Sequence, residues 1–174
     1  MKKLLGILVL GLLIYNSKNW NEWKKNLTIE ETFALAVQNH KKNNLQVAEN
    51  LYKKILKTNP NYAGVYYNLG IMFKETEELQ KAIGCYEKAI QIDPNYVNVY
   101  YNLGNILQEL RELQKAKSCY EKLLNLDPTN KKGCSNYGNL LIKITQHNKG
   151  LAYIRKGDGV IRFTQKDVQI VWRE

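Results

Sequence analysis

From Thr28 onward, apolar residues recur at three- and four-residue intervals, in blocks separated by polar, turn-forming pairs. Val47, Ala48, Leu51, Tyr52, Ile55 and Leu56 keep one face of a segment apolar, which is the 3.6-residue signature of a helix. Asn59-Pro60 ends it, since proline disfavours the helical region for the residue before it. Upstream, Thr28-Ile-Glu-Glu31 is a capping box in which hydroxyl and carboxylate satisfy opposite helix-terminal amides. It predicts a first helix running to about Lys42, with Asn43-Asn44 as the turn. The plan recurs twice, predicting helices at about 63–76 and 79–92, then 97–110 and 113–126.

The plan recurs because the sequence does. Residues 63–96 and 97–130 agree without a gap at 18 of 34 positions, and Pro60, Pro94 and Pro128 fall 34 residues apart. A fixed period of this length marks a solenoid of supersecondary units. One helical hairpin cannot bury its apolar face alone, so neighbouring units stack to make the core. The predicted fold is all-α: a right-handed α-solenoid with full repeats at 29–62, 63–96 and 97–130 and a partial capping repeat at 131–157. In the last unit Cys134, Tyr137-Gly138 and Leu141 keep register, but the second helix is eroded and lacks a closing proline. The tail, 158–174, changes character. Val160–Phe163 and Val168–Trp172 are rich in β-branched and aromatic residues, compatible with a hairpin or with a strap over the last helix.

The repeat is similar to the tetratricopeptide repeat. Tyr66 and Tyr100 fill its large aromatic slot, Leu69-Gly70 and Leu103-Gly104 its Leu-Gly pair, and Ala82 and Ala116 its small residue. Tyr86 and Tyr120 match the second-helix aromatic, and Pro94 and Pro128 the closing proline. The first unit departs, with Thr32 for the aromatic and Ala36 for the glycine. All units lack the family's glycine between helices, carrying Asn43, Glu77 and Arg111 there. The resemblance implies a non-enzymatic interaction scaffold.

One polar column stands apart from the stacking slots. Asn68, Asn102 and Asn136 hold the same place in successive units, with Asn105 and Asn139 one turn further on. In the family this face lines the concave groove. The column resembles the asparagine ladder of O-linked N-acetylglucosamine transferases, whose amides grip an extended peptide. An amide donates and accepts at once, which matches a peptide backbone. Tyr67 and Tyr101 flank the column, and they, Asn68 and Asn102 read as residues the core does not need. The structural alternative is that the amides serve hydrogen bonds between repeats.

Charge adds a second theme. Of the net +10, residues 1–58 carry +6, residues 59–130 carry −2 and residues 131–174 carry +6. Lysines scattered singly or in pairs read as solvated helix faces; the sharper reading is contact with anionic lipid, nucleic acid or an acidic partner. No nucleic acid is expected at the near-neutral centre. Residues 1–17 place two lysines before the apolar run Leu4–Tyr15, the layout of a signal peptide or N-terminal membrane anchor. Tyr15, two positions before the small residue Ser17, spoils a clean cleavage site there. Export or anchoring is the leading expectation, a buried helix in a cytoplasmic protein the alternative. Residues 18–28 form a linker holding Trp20 and Trp23.

Nothing catalytic is legible. His40 and His147 lie on different units without ligands at metal spacing, and no phosphate loop or nucleophile elbow is present. Cys85, Cys119 and Cys134 do not form a disulfide framework. The sequence implies no cofactor and no small-molecule substrate. It points to a protein or peptide partner, with membrane association through residues 1–17. The rival reading is a targeting module detached from a transferase or oxygenase on another chain.

Overall fold

The computed structural model describes residues 27–157 together with the backbones of two strands, 159–163 and 168–172. The apolar N-terminal run and residues 18–26 of the linker lie outside the described residues. Among the described residues no helix is long and apolar enough to cross a membrane. The chain divides after Pro60 into two units.

The first unit is a hairpin of α1 (Ile29–Lys41) and α2 (Leu45–Thr58). The predicted capping box forms. Thr28 N–H donates to Glu31 Oε2 at 3.0 Å, and Glu31 N–H donates to Thr28 Oγ1 at 3.1 Å. Thr32, in the slot that the next two hairpins give to tyrosine, is buried; its hydroxyl donates to the Thr28 carbonyl at 2.8 Å. Tyr52 is fully buried, with Phe33 tilted against it at 6.2 Å.

The second unit holds three hairpins: α3 (Ala63–Glu75) with α4 (Leu79–Ile92), α5 (Val97–Glu109) with α6 (Leu113–Leu126), and α7 (Lys131–Lys143) with α8 (His147–Lys156). Each second helix packs on the first helix of the next hairpin, so α3 to α8 stack in chain order. This is the α-solenoid that the period predicts. Its core runs unbroken from Ala82 through Tyr86, Val99, Leu103, Ala116 and Tyr120 to Leu141. Beyond α8, strands β1 (Gly159–Phe163) and β2 (Val168–Trp172) pair antiparallel, with Ile161 opposite Ile170. The tail is thus a hairpin.

Close approach within each of the two hairpins of residues 63–126 depends on one missing β-carbon. A Cβ on Gly70 would stand 2.4 Å from the Tyr86 ring, and one on Gly104 2.8 Å from the Tyr120 ring. The glycines therefore seat tyrosine rings, a more specific task than general helix approach. The last hairpin reaches the same end differently. Gly150 replaces alanine and Ile154 replaces tyrosine, and a Cβ on Gly138 would lie 2.7 Å from the Gly150 carbonyl. Its erosion is thus a closer backbone contact, compensated by a smaller side chain.

The turns form without the family's glycine. Asn43, Glu77, Arg111 and Thr145 all have φ between 61° and 65°. In each, two bonds close a Schellman motif; for the last, Gln146 N–H reaches Leu141 O at 2.8 Å and Thr145 N–H reaches Ile142 O at 3.1 Å. At the far ends, Asp93 and Asp127 precede proline and accept from Asn95 N–H at 3.0 Å and Thr129 N–H at 3.2 Å. Donors from Thr129 and Asn130 hold the Asp127 carboxyl below its usual range.

Left-handed backbone costs a residue with a β-carbon about 1–2 kcal/mol, and a β-branched one is worst placed. Thr145→Gly is expected to stabilise the protein by about 1 kcal/mol, after the entropy glycine returns to the unfolded chain. Arg111→Gly should gain somewhat less. Urea unfolding followed by circular dichroism measures both.

Candidate peptide-binding groove

The asparagine column lies on the first helices, α3, α5 and α7, where every member is half-buried. The structure draws most of them into a network between hairpins. Asn102 Nδ2 donates to Tyr67 Oη of the preceding hairpin at 3.4 Å. One repeat on, Asn136 Nδ2 donates to Tyr101 Oη at 3.4 Å and to Asn105 Oδ1 at 2.7 Å. The Tyr120 hydroxyl donates to the same Asn105 oxygen at 2.7 Å. Tyr67 tilts against Tyr86 at 6.2 Å and Tyr96 at 5.0 Å and packs on the core cluster. The expectation that the core does not need Asn102, Tyr67 and Tyr101 is therefore corrected. Asn102, Asn105 and Asn136 clasp hairpin to hairpin, and Tyr67 and Tyr101 are their partners.

Two members stand outside the network. Asn68 Nδ2 bonds within its own helix, to the Gly64 carbonyl at 2.8 Å. Asn139 is half-buried and has no hydrogen-bond partner among the described residues.

A cleft of about 560 Å³ opens beside this network, lined by Asn105, Gln108 and Glu109 of α5, by Arg111 and Leu113, and by Lys143 of α7. Gln108 Oε1 is buried and accepts no hydrogen bond. Asn105 has its oxygen doubly occupied, while its NH2 group finds no acceptor among the described residues. One helical turn of α5 thus holds, beside the cleft, an uncommitted donor on Asn105 and a buried, unpaired acceptor on Gln108. Asn105 was legible as part of the column. Gln108 was not, because Lys74 and Ile142 occupy its place in the neighbouring repeats; its only sequence signal is the three-residue step from Asn105.

The Tyr67 and Tyr120 phenols of the network stay protonated. Burial raises Tyr67, with the Asn102 contact working against the rise. Burial likewise lifts Tyr52, Tyr86 and Tyr120 far above the usual phenol range. Burial pushes the Cys85 and Cys119 thiols up to about 11, so neither is a ready nucleophile at neutral pH. Among the described residues no three His, Cys, Asp or Glu side chains converge to hold a metal ion.

Three family models match the chain. A TPR-repeat model covers residues 72–110, and tetratricopeptide-repeat models cover 97–130 and 51–84. Residues 51–130 are tetratricopeptide repeats. Solved structures share the fold. MamA aligns at 24% identity and a TM-score of 0.69, over 75% of this chain and 76% of MamA. A MamA RS-1 double mutant aligns at 22% and 0.70, over 80% and 78%. PilF of Pseudomonas aeruginosa aligns at 24% and 0.68, over 76% and 62%. At these identities the likeness establishes the fold. No curated protein matches the chain significantly.

The repeats differ in how they treat the buried tetratricopeptide aromatic. Tyr120 has Asn105 as acceptor, but Tyr86 has Ile71 and Tyr52 has Val37 at that place. The Tyr86 hydroxyl comes near the Asn102 amide without reaching hydrogen-bond geometry, and both it and the Tyr52 hydroxyl are buried unpaired. A buried, unpaired hydroxyl costs about 1–3 kcal/mol. Tyr86→Phe and Tyr52→Phe are each expected to raise stability by about 1 kcal/mol, and Tyr120→Phe to lower it by about as much. Denaturant midpoints of the three variants check the contrast.

Proposed function

We propose that the chain is a non-catalytic adaptor that holds an extended segment of a partner polypeptide along α3, α5 and α7. The observation that carries this reading is the Asn105–Gln108 pair. Its unused NH2 group and its unpaired, buried oxygen are the hydrogen-bonding complement of one peptide unit, whose C=O accepts and N–H donates. A buried oxygen without a donor is costly in the free protein and is satisfied when a backbone N–H arrives. Asn139 presents an uncommitted amide on the adjoining helix, so a second peptide unit has a partner one repeat along. Tyr101, half-buried beside the column, offers apolar area with little entropy to lose. The column's resemblance to the ladder of O-linked N-acetylglucosamine transferases supports the same mode. Glu109, Arg111 and Lys143 mix signs at the cleft, which favours a largely neutral segment over a uniformly acidic one.

Extended peptides selected from a displayed random library against the full chain test the proposal by calorimetry. Gln108→Met is expected to stabilise the free protein by about 1 kcal/mol while weakening the selected peptides about fivefold. Asn139→Ala should leave stability unchanged and weaken them to a similar degree. Peptides that bind both variants as tightly as the wild type would overturn the proposal.

A further inference from the structure

The last hairpin, residues 131–157, carries six Lys and Arg side chains and no Asp or Glu, whereas residues 97–130 carry four of each sign. Lys132, Lys143, Lys149, Arg155 and Lys156 are exposed. Two of these cations converge on a cleft of about 300 Å³, on the second helices α6 and α8 rather than on the asparagine column. Lys149 Nζ stands 5.8 Å from the Tyr137 ring centre, and Lys156 Nζ stands 5.0 Å from that of Tyr153. The two rings meet edge to face at 4.7 Å. Asn125 and Leu124 of α6 form the opposite wall.

The single carboxylate of the cleft is already engaged. Glu121 accepts the Tyr137 hydroxyl at 2.6 Å and lies 3.8 Å from Lys117. Burial and this carboxylate raise the Tyr137 phenol, so it remains a donor to Glu121. Lys149 and Lys156 thus rest over aromatic faces with no carboxylate partner among the described residues. A lysine over a ring is held in place but only partly compensated, since such contacts contribute about 0.5–1 kcal/mol at exposed sites.

We propose that this cleft receives an acidic side chain of a polypeptide partner, at a site separate from the peptide groove. The carboxylate sits between the two ammonium groups, its methylene stem lies on the Tyr137 and Tyr153 rings, and Asn125 pairs with the partner's backbone. An acidic side chain fits better than a phosphate polymer or an anionic bilayer. Those ligands gain affinity from many spaced charges, but the cleft presents only Lys149 and Lys156, and Glu121 stands in the cleft itself. A single carboxylate needs only the two lysines.

The test is a nuclear magnetic resonance titration of the full chain with a capped Gly-Glu-Glu-Glu-Gly peptide. A glutamine-substituted peptide, a short single-stranded oligonucleotide and phosphatidylglycerol vesicles serve as the other probes. The expected result is saturable movement of the Tyr137 and Tyr153 ring signals by the glutamate peptide alone. Lys149→Gln and Lys156→Gln should each weaken that binding about fivefold, whereas Lys132→Gln, on the same hairpin but outside the cleft, should change it less than twofold. All three sites are exposed, and circular dichroism confirms the helices of each variant. Equal movement by the glutamine peptide, an equal loss in Lys132→Gln, or tighter engagement of the same rings by the oligonucleotide or the vesicles would each overturn the proposal.

Discussion

Within each hairpin of residues 63–130, a tyrosine ring presses on the facing helix at the one place where that helix has no β-carbon. Tyr86 lies on Gly70 and Tyr120 on Gly104, with rings so close that any added Cβ would collide. This contact sets how near two helices stand, and so where the first helix of the next hairpin can pack. It also fixes where the phenol oxygen ends up. The rigid ring carries the hydroxyl through the apolar layer to the seam between hairpins, where it must find a partner or remain unpaired. The asparagine network follows from that geometry. Asn105 receives the Tyr120 hydroxyl, and Asn136 of the next hairpin donates to the same oxygen. Where the last hairpin replaces the ring by Ile154, no hydroxyl arrives and the backbones close on each other at Gly138 and Gly150.

The parts of the fold that repeat are legible in the amino-acid sequence. Helix positions, the capping box at Thr28 and Glu31 and the endings before proline all depend on local rules that act within a few residues. The stacking slots are legible too, because the same residue recurs at Ala82 and Ala116 or at Tyr86 and Tyr120. Departures from the repeat are what the sequence hides. Gln108 has no counterpart among its neighbours, so no column marks it. The missing acceptors of Tyr52 and Tyr86 arise because Val37 and Ile71 stand where a later unit has Asn105, an absence that becomes visible only once the ring is placed. The left-handed turns are half legible. Their position follows from the helix periods, but Glu77, Arg111 and Thr145 give no hint of positive φ, because the strain is held by tertiary packing against local preference.

The asparagine column shows why a repeated polar residue is ambiguous evidence of binding. An amide has two ends, and the seam between hairpins uses one of them. Asn102 spends its NH2 group on Tyr67, and Asn105 spends its oxygen on Tyr120 and Asn136. The other end of each side chain has no hydrogen-bond partner among the described residues. Stacking and recognition therefore occupy the same atoms' neighbours, and recurrence at 34 residues follows from either role. A loss of binding on removing Asn102 or Asn136 carries no message, because the groove itself loses a clasp. Only positions outside the network separate the two roles. Asn139 has no internal partner and Gln108 has an unpaired oxygen, so neither is explained by the stack. A polar group that the fold leaves unsatisfied is a cost that stability alone does not account for. The cleft at Asn105 and Gln108 holds that cost in the free chain, and the proposed peptide backbone is what would remove it.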